Sequence, residues 1–95
     1  MNKYSIYIGS NNTTHELEQD KAREVIARYF QGFSEYVITG VWNGTTEKTL
    51  KVEIVAEKGS SEVAVVTMCK ELAKELQQDA IMLEQVESNT AFIQA

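Results

Sequence analysis

The sequence predicts an α+β domain in the order β-α-β-β-α-β, and three observations predict it. Apolar residues alternate at a period of two in Tyr4, Ile6 and Ile8, and again in Leu50, Val52, Ile54 and Ala56, as in half-buried strands. Two intervening stretches, Leu17 to Phe30 and Val65 to Leu76, carry apolar residues at near-helical spacing instead. Asn43-Gly44 lies between extended segments at the centre of the chain, and both residue types tolerate the positive φ that a two-residue hairpin turn demands.

The first strand is expected over Lys3–Gly9, with Ser5 and Tyr7 opposite the apolar set. A polar loop, Ser10 to Thr14, follows. Thr13 and Glu16 have the spacing of a capping box, which predicts a helix over Glu16–Gln31. Glu16, Glu18 and Asp20 suit the positive end of its dipole. Leu17, Ala22, Val25, Ile26, Tyr29 and Phe30 form its apolar stripe, and Gly32 offers a left-handed C-cap.

A second strand is expected over Glu35–Trp42, with Thr45 and Thr46 lengthening the turn, and a third over Glu47–Ala56. Ser60 or Ser61 caps a helix over Ser61–Leu76, whose stripe runs Val65, Val66, Cys69, Leu72, Ala73 and Leu76. The fourth strand spans Asp79–Val86, with Ile81 and Leu83 on one face and Ala80 and Met82 on the other. In the tail, Ala91-Phe92-Ile93 is apolar enough to form a short extra strand or to dock on a partner.

Each β-α-β unit is a right-handed crossover, because a twisted strand feeding a helix packs back on its sheet only that way. Two such units joined by a hairpin give the ferredoxin-like plait: a four-stranded antiparallel sheet ordered 4-1-3-2, with both helices on one face. The 95 residues suit a single domain. The other sheet face stays open and carries Tyr7, Val55 and Met82 with Ser5, Lys51 and Glu53, plus one parity of strand two: Val37, Thr39 and Val41, or Ile38 and Trp42.

Fourteen acidic residues against nine basic ones give a net charge of −5. The basic residues are dispersed, so no patch matches a phosphate backbone and nucleic acid is not expected as a partner. One cysteine allows no internal disulfide. No apolar run approaches the roughly 18 residues of a membrane-spanning helix. With no leader pattern at the start, a cytoplasmic location is the expectation. His15 and Cys69 are single and distant in sequence, which predicts no metal site, and nothing in the chain implies a cofactor.

The loop Gly9, Ser10, Asn11 and Thr13 is the candidate ligand site, since main-chain amides at a helix entrance suit an anion. It lacks the glycines and lysine of a phosphate-binding loop. Tyr7, Val55, Met82, Trp42 and Phe92 are the candidate interface residues. Trp42 is expected to cap the end of the core, with a binding anchor as the other reading. Glu47, Glu53 and Glu57 read as an outward row with Lys51.

These residues predict a non-enzymatic domain that forms a homo-oligomer, a dimer first, or binds a protein partner through its open face. The alternative is a small-ligand regulatory module using the Gly9–Thr14 loop. The third reading is a small enzyme built like a dimeric α/β barrel, with a pocket between sheet and helices near Tyr7, His15 and Trp42.

Tyr7-Ile8-Gly9-Ser10-Asn11, Glu47-Lys48-Thr49-Leu50 and Gln78-Asp79-Ala80-Ile81 stand at three strand junctions. In these the chain resembles a group of short uncharacterised proteins from phages, prophages and other mobile elements of bacteria and archaea. The resemblance implies the plait fold and brings no activity or site residue with it.

Overall fold

The computed structural model describes all 95 residues. The elements are β1 (Asn2–Ile8), α1 (Gln19–Ala27), β2 (Ser34–Trp42), β3 (Thr45–Ala56), α2 (Ser60–Glu75) and β4 (Met82–Glu87). The sheet is antiparallel and ordered β2-β3-β1-β4, which is the plait order expected from sequence. No helix is long and apolar enough to cross a membrane.

The period-two pattern sets the layers. Tyr4, Ile6 and Ile8 of β1 and Leu50, Val52 and Ile54 of β3 face the helices and are fully buried. They meet Ala22, Val25 and Ile26 of α1 and Val65, Met68, Cys69 and Leu72 of α2. Truncating one of the large aliphatic residues here to alanine costs about 2–5 kcal/mol. The α2 stripe differs from expectation at one place: Met68 is buried, whereas Val66 is exposed. Residues 65, 68, 69, 72 and 76 follow the three-and-four spacing of one helix face, and Val66 stands about 100° around from Val65.

The first helix is shorter than Glu16–Gln31. Its N-cap is Glu18, with no side-chain capping bond, so the Thr13–Glu16 capping box does not form. Instead the Glu16 amide donates to the Thr14 hydroxyl at 3.3 Å. At the other end the amides of Arg28 and Tyr29 donate to the carbonyls of Val25 and Ile26, three residues back, and the helix tightens and stops. Gly32 is therefore not a left-handed helix cap; it lies beyond the helix and its φ is not positive. The N-cap of α2 is Gly59, again without a side-chain bond, so neither Ser60 nor Ser61 caps it. Beyond α2, Gln77 takes a positive φ of 53° and the Gln78 amide donates to the Ala73 carbonyl at 2.9 Å. That is the bond pattern of a Schellman C-cap, with glutamine in place of the usual glycine.

The hairpin turn is Asn43-Gly44 alone, with φ of 49° and 77°, the signs of a type I′ turn. Thr45 and Thr46 belong to β3 rather than to the turn. The strand β4 starts at Met82, three residues later than expected, and Gln78 to Ile81 approach it as irregular chain. The tail forms no extra strand; the Ser88 amide donates to the Met1 carbonyl, and Phe92 is 78% exposed.

The hairpin outruns its neighbours. The end of β1 pairs Ile8 with Leu50, which in turn pairs with Val37. Residues 38 to 42 and their partners on β3 thus project past β1 as an arm of about 17 Å. The molecule measures 43 × 24 × 22 Å along its principal axes.

Candidate functional site

The open face is organised by cross-strand register. Side chains directly opposite in antiparallel strands share a face. Tyr36, Lys51, Tyr7 and Met82 are successive partners across all four strands and make one row of that face. The Lys51 ammonium lies 5.5 Å from the Tyr7 ring centroid and 5.6 Å from that of Tyr36, within cation–π range of both. The next row holds Ser34, Glu53, Ser5 and Glu84, and Glu53 pairs with Lys3 at 3.4 Å and Lys51 at 3.7 Å. The parity of β2 is settled as well: Tyr36, Ile38, Gly40 and Trp42 share the open face, while Val37, Thr39 and Val41 lie on the helix side.

A cleft of about 610 Å³ opens where the arm leaves the sheet. One wall is the arm, with Ile38, Gly40, Val41, Trp42, Glu47 and Thr49. The other is the irregular approach to β4, Gln78 to Met82. Tyr7 and Gly9 lie between them. Two side chains carry negative charge here, Glu47 and Asp79, and two are aromatic, Tyr7 and Trp42; the lining includes no lysine or arginine. Parity places Lys48 on the helix side, as the partner of Thr39.

The site is built by what is missing as much as by what is present. A Cβ on Gly40 would fall on the Thr49 hydroxyl, so glycine keeps this wall open, and Thr49 is 7% exposed in its floor. A Cβ on Gly9 would stand 2.8 Å from Glu47 Oε1 and 3.1 Å from Gln78 Oε1. Those two side chains clasp the chain just beyond. The Ser10 amide donates to Glu47 Oε2 at 3.3 Å, and Gln78 Nε2 donates to the Ser10 carbonyl at 2.7 Å.

The polar loop turns its donors inward. Ser10 Oγ donates to the Lys48 carbonyl at 2.8 Å. Asn11 Oδ1 accepts from the amides of Thr13 and Thr14 at 2.8 and 3.1 Å, an Asx-type turn, and its Nδ2 donates to Glu18 at 2.5 Å. Gly9 alone of the four loop candidates touches the cleft, joined there by Asn12. His15 is exposed, has a φ of 61°, and lies in the loop before α1, not at the start of a helix.

Of the interface candidates, Tyr7, Met82 and Trp42 gather at the cleft, while Val55 and Phe92 border a second depression of about 520 Å³ beside Phe30 and Phe33. Trp42 does not cap the core; it is 76% exposed at the tip of the arm. The pocket near Tyr7 and Trp42 lies on the open face, not between sheet and helices. Glu47 and Glu53 share that face, but Glu57 lies beyond the end of β3.

Sequence reasoning missed Gly40, Thr49, Gln78 and Asp79 as site residues. Gly40 was the available signal, because an isolated glycine in a β-branched strand marks a close approach. Cys69 belongs to the core and is not part of the cleft lining, and burial pushes its thiol up to about 11, so it behaves as a small hydrophobe. No three side chains of the metal-ligating types come together.

No protein-family model and no curated protein sequence matches the chain. Solved structures do match its fold. A phage SAM lyase in its apo state superimposes with a TM-score of 0.74 at 22% identity, over 90% of this chain and 78% of that one. A phage SAM lyase in complex with S-methyl-5′-thioadenosine gives 0.74 at 19% identity, over 90% and 80%. A DUF3240 family protein from Shewanella baltica gives 0.69 at 16% identity, over 99% and 97%. These likenesses are ones of fold.

Proposed function

We propose that the cleft between the arm and the approach to β4 binds a small organic cation that carries a flat ring. The observation that supports this is its lining: Glu47 and Asp79 with the aromatic Trp42 and Tyr7 and no basic side chain, Lys51 lying over the Tyr7 ring at 5.5 Å but outside the lining. Carboxylates favour positive charge, and aromatic faces add about 0.5–2 kcal/mol for a cation over them while also stacking on a flat ring. SAM, named for the phage lyases of the same fold, is such a molecule: a sulfonium cation bearing an adenine ring. An enzymatic role is compatible with this reading, because a carboxylate held beside a bound cation can also accept a proton.

Isothermal titration with SAM and with S-methyl-5′-thioadenosine, its uncharged relative, tests the proposal. Binding of SAM at least tenfold tighter than the neutral compound is the expected result. Equal affinity, or no heat from SAM at millimolar concentration, overturns the cationic specificity. Chromatography of the same mixtures reads turnover directly.

A second reading, self-association through the open face, is favoured by a different observation. Tyr36, Val55, Met82 and Val86 are all exposed on a face that no helix covers. Val55→Glu is expected to lower the oligomer mass in native mass spectrometry; an unchanged mass removes Val55 from any interface.

A further inference from the structure

We infer that the outer edge of β2 is a self-association surface, at which a second copy of this chain adds a strand to the sheet. The inference rests on the reading that the chain self-associates, and locates a contact on the sheet edge beside the open face.

The sheet has two edges, β2 and β4, and they differ in kind. The β4 edge is short, six residues, and carries Glu84 and Glu87, with Glu87 paired to Lys58. Short length and charge are the usual protections of a free edge. The β2 edge is longer, and its one charged residue, Glu35, stands near its start and is paired to Arg23. It runs nine residues, and Tyr36 to Trp42 contains no charged residue and no proline. Its pairing to β3 advances without a bulge from Ser34↔Glu53 to Trp42↔Thr45, so the outer edge is regular and its main-chain groups face outward in series. Four of these seven residues, Val37, Ile38, Thr39 and Val41, are β-branched and suit cross-strand packing. Val37 and Val41 are exposed on one side of the arm and Tyr36 and Trp42 on the other, so an added strand gains apolar contact on both faces.

Charge argues for a like copy as the occupant. The chain carries a net −5, which disfavours the approach of a second copy. The uncharged run from Tyr36 to Trp42 lets two such chains approach without placing like charges opposite each other. Ile38, Gly40 and Trp42 also wall the cleft, so the added strand lies alongside the proposed ligand site.

The test is native mass spectrometry and sedimentation of the full chain against Val37→Lys/Thr39→Lys and the milder Thr39→Lys alone, with circular dichroism confirming the fold of each. Neither residue lines the cleft. The expected result is a wild-type mass that is a multiple of 10.7 kDa and a return to 10.7 kDa in the double variant, with at least a tenfold weaker assembly in Thr39→Lys. A monomeric wild type at tens of micromolar overturns both this inference and the reading it rests on. An oligomer that survives a folded edge variant but dissolves in Val55→Glu overturns the edge alone.

Discussion

The Ser10 backbone amide donates to Glu47 Oε2 at 3.3 Å, which ties a carboxylate on the arm to the chain just past β1. The bond fixes one oxygen of Glu47 and positions the group in the cleft lining. Glu47→Gln keeps an oxygen for the Ser10 amide and removes the charge. The fold is expected to persist, while affinity for SAM falls about 10–150-fold, the range of a charged contact worth about 1.5–3 kcal/mol. Titration calorimetry reads the change, and a loss below twofold refutes a charge-based site.

Gly40 and Thr49 form the second relationship that shapes the cleft. Gly40→Ala places a methyl group on the Thr49 hydroxyl, and Thr49 is β-branched with little freedom to turn away. Overpacking of this kind costs about 1–3 kcal/mol. The cost is expected to shrink in Gly40→Ala/Thr49→Ala. Chemical denaturation of the two singles and the double gives the coupling; strict additivity would show that the methyl group finds room elsewhere.

Most of the plait was legible in sequence because its signals are local. The alternation in Tyr4-Ile6-Ile8 and Leu50-Val52-Ile54 identifies the two central strands, and Asn43-Gly44 fixes the hairpin. Helix ends were less legible. Thr13 has capping-box spacing, but Asn11 captures the neighbouring amides first and α1 begins only at Gln19. The cleft was legible only in fragments. Tyr7, Gly9, Met82 and Trp42 were each visible as candidates, yet Glu47 and Asp79 reach the same cavity only through long-range pairing of β1 with β3 and β4. No pattern along the chain announces walls formed by residues about forty and seventy positions from Tyr7.

Gln77 closes α2 in a left-handed conformation that costs a side-chain-bearing residue about 1–2 kcal/mol. Gln77→Gly removes that cost but adds freedom to the unfolded chain, worth about 0.4–1 kcal/mol. The net expectation is a stabilisation of about 0.5 kcal/mol and a melting temperature higher by about 2–4 °C. A lower melting temperature would show that the Gln77 side chain contributes contacts outweighing its backbone strain.

The clasp between the helices makes stability depend on pH in a predictable direction. The Tyr29 hydroxyl donates to Glu71, and Arg28 reaches both Glu71 and Glu75. The Tyr29 hydrogen bond holds the Glu71 carboxyl below its ordinary value of 4.5, with Arg28 acting in the same sense. A carboxyl depressed by folding contributes its full share above its unfolded value and loses it as the pH falls through the folded one. The same bond raises Tyr29 above its ordinary 10.0, so its contribution is whole below pH 10 and is lost as the pH climbs past its folded value. Tyr29→Phe should therefore melt below wild type at pH 7, and the gap should narrow below about pH 4.5 and again above about pH 10. Phenylalanine keeps the ring, so a gap that stays constant from pH 3 to 11 would show that the hydroxyl–carboxylate bond, which titrates at both ends, does not carry the difference.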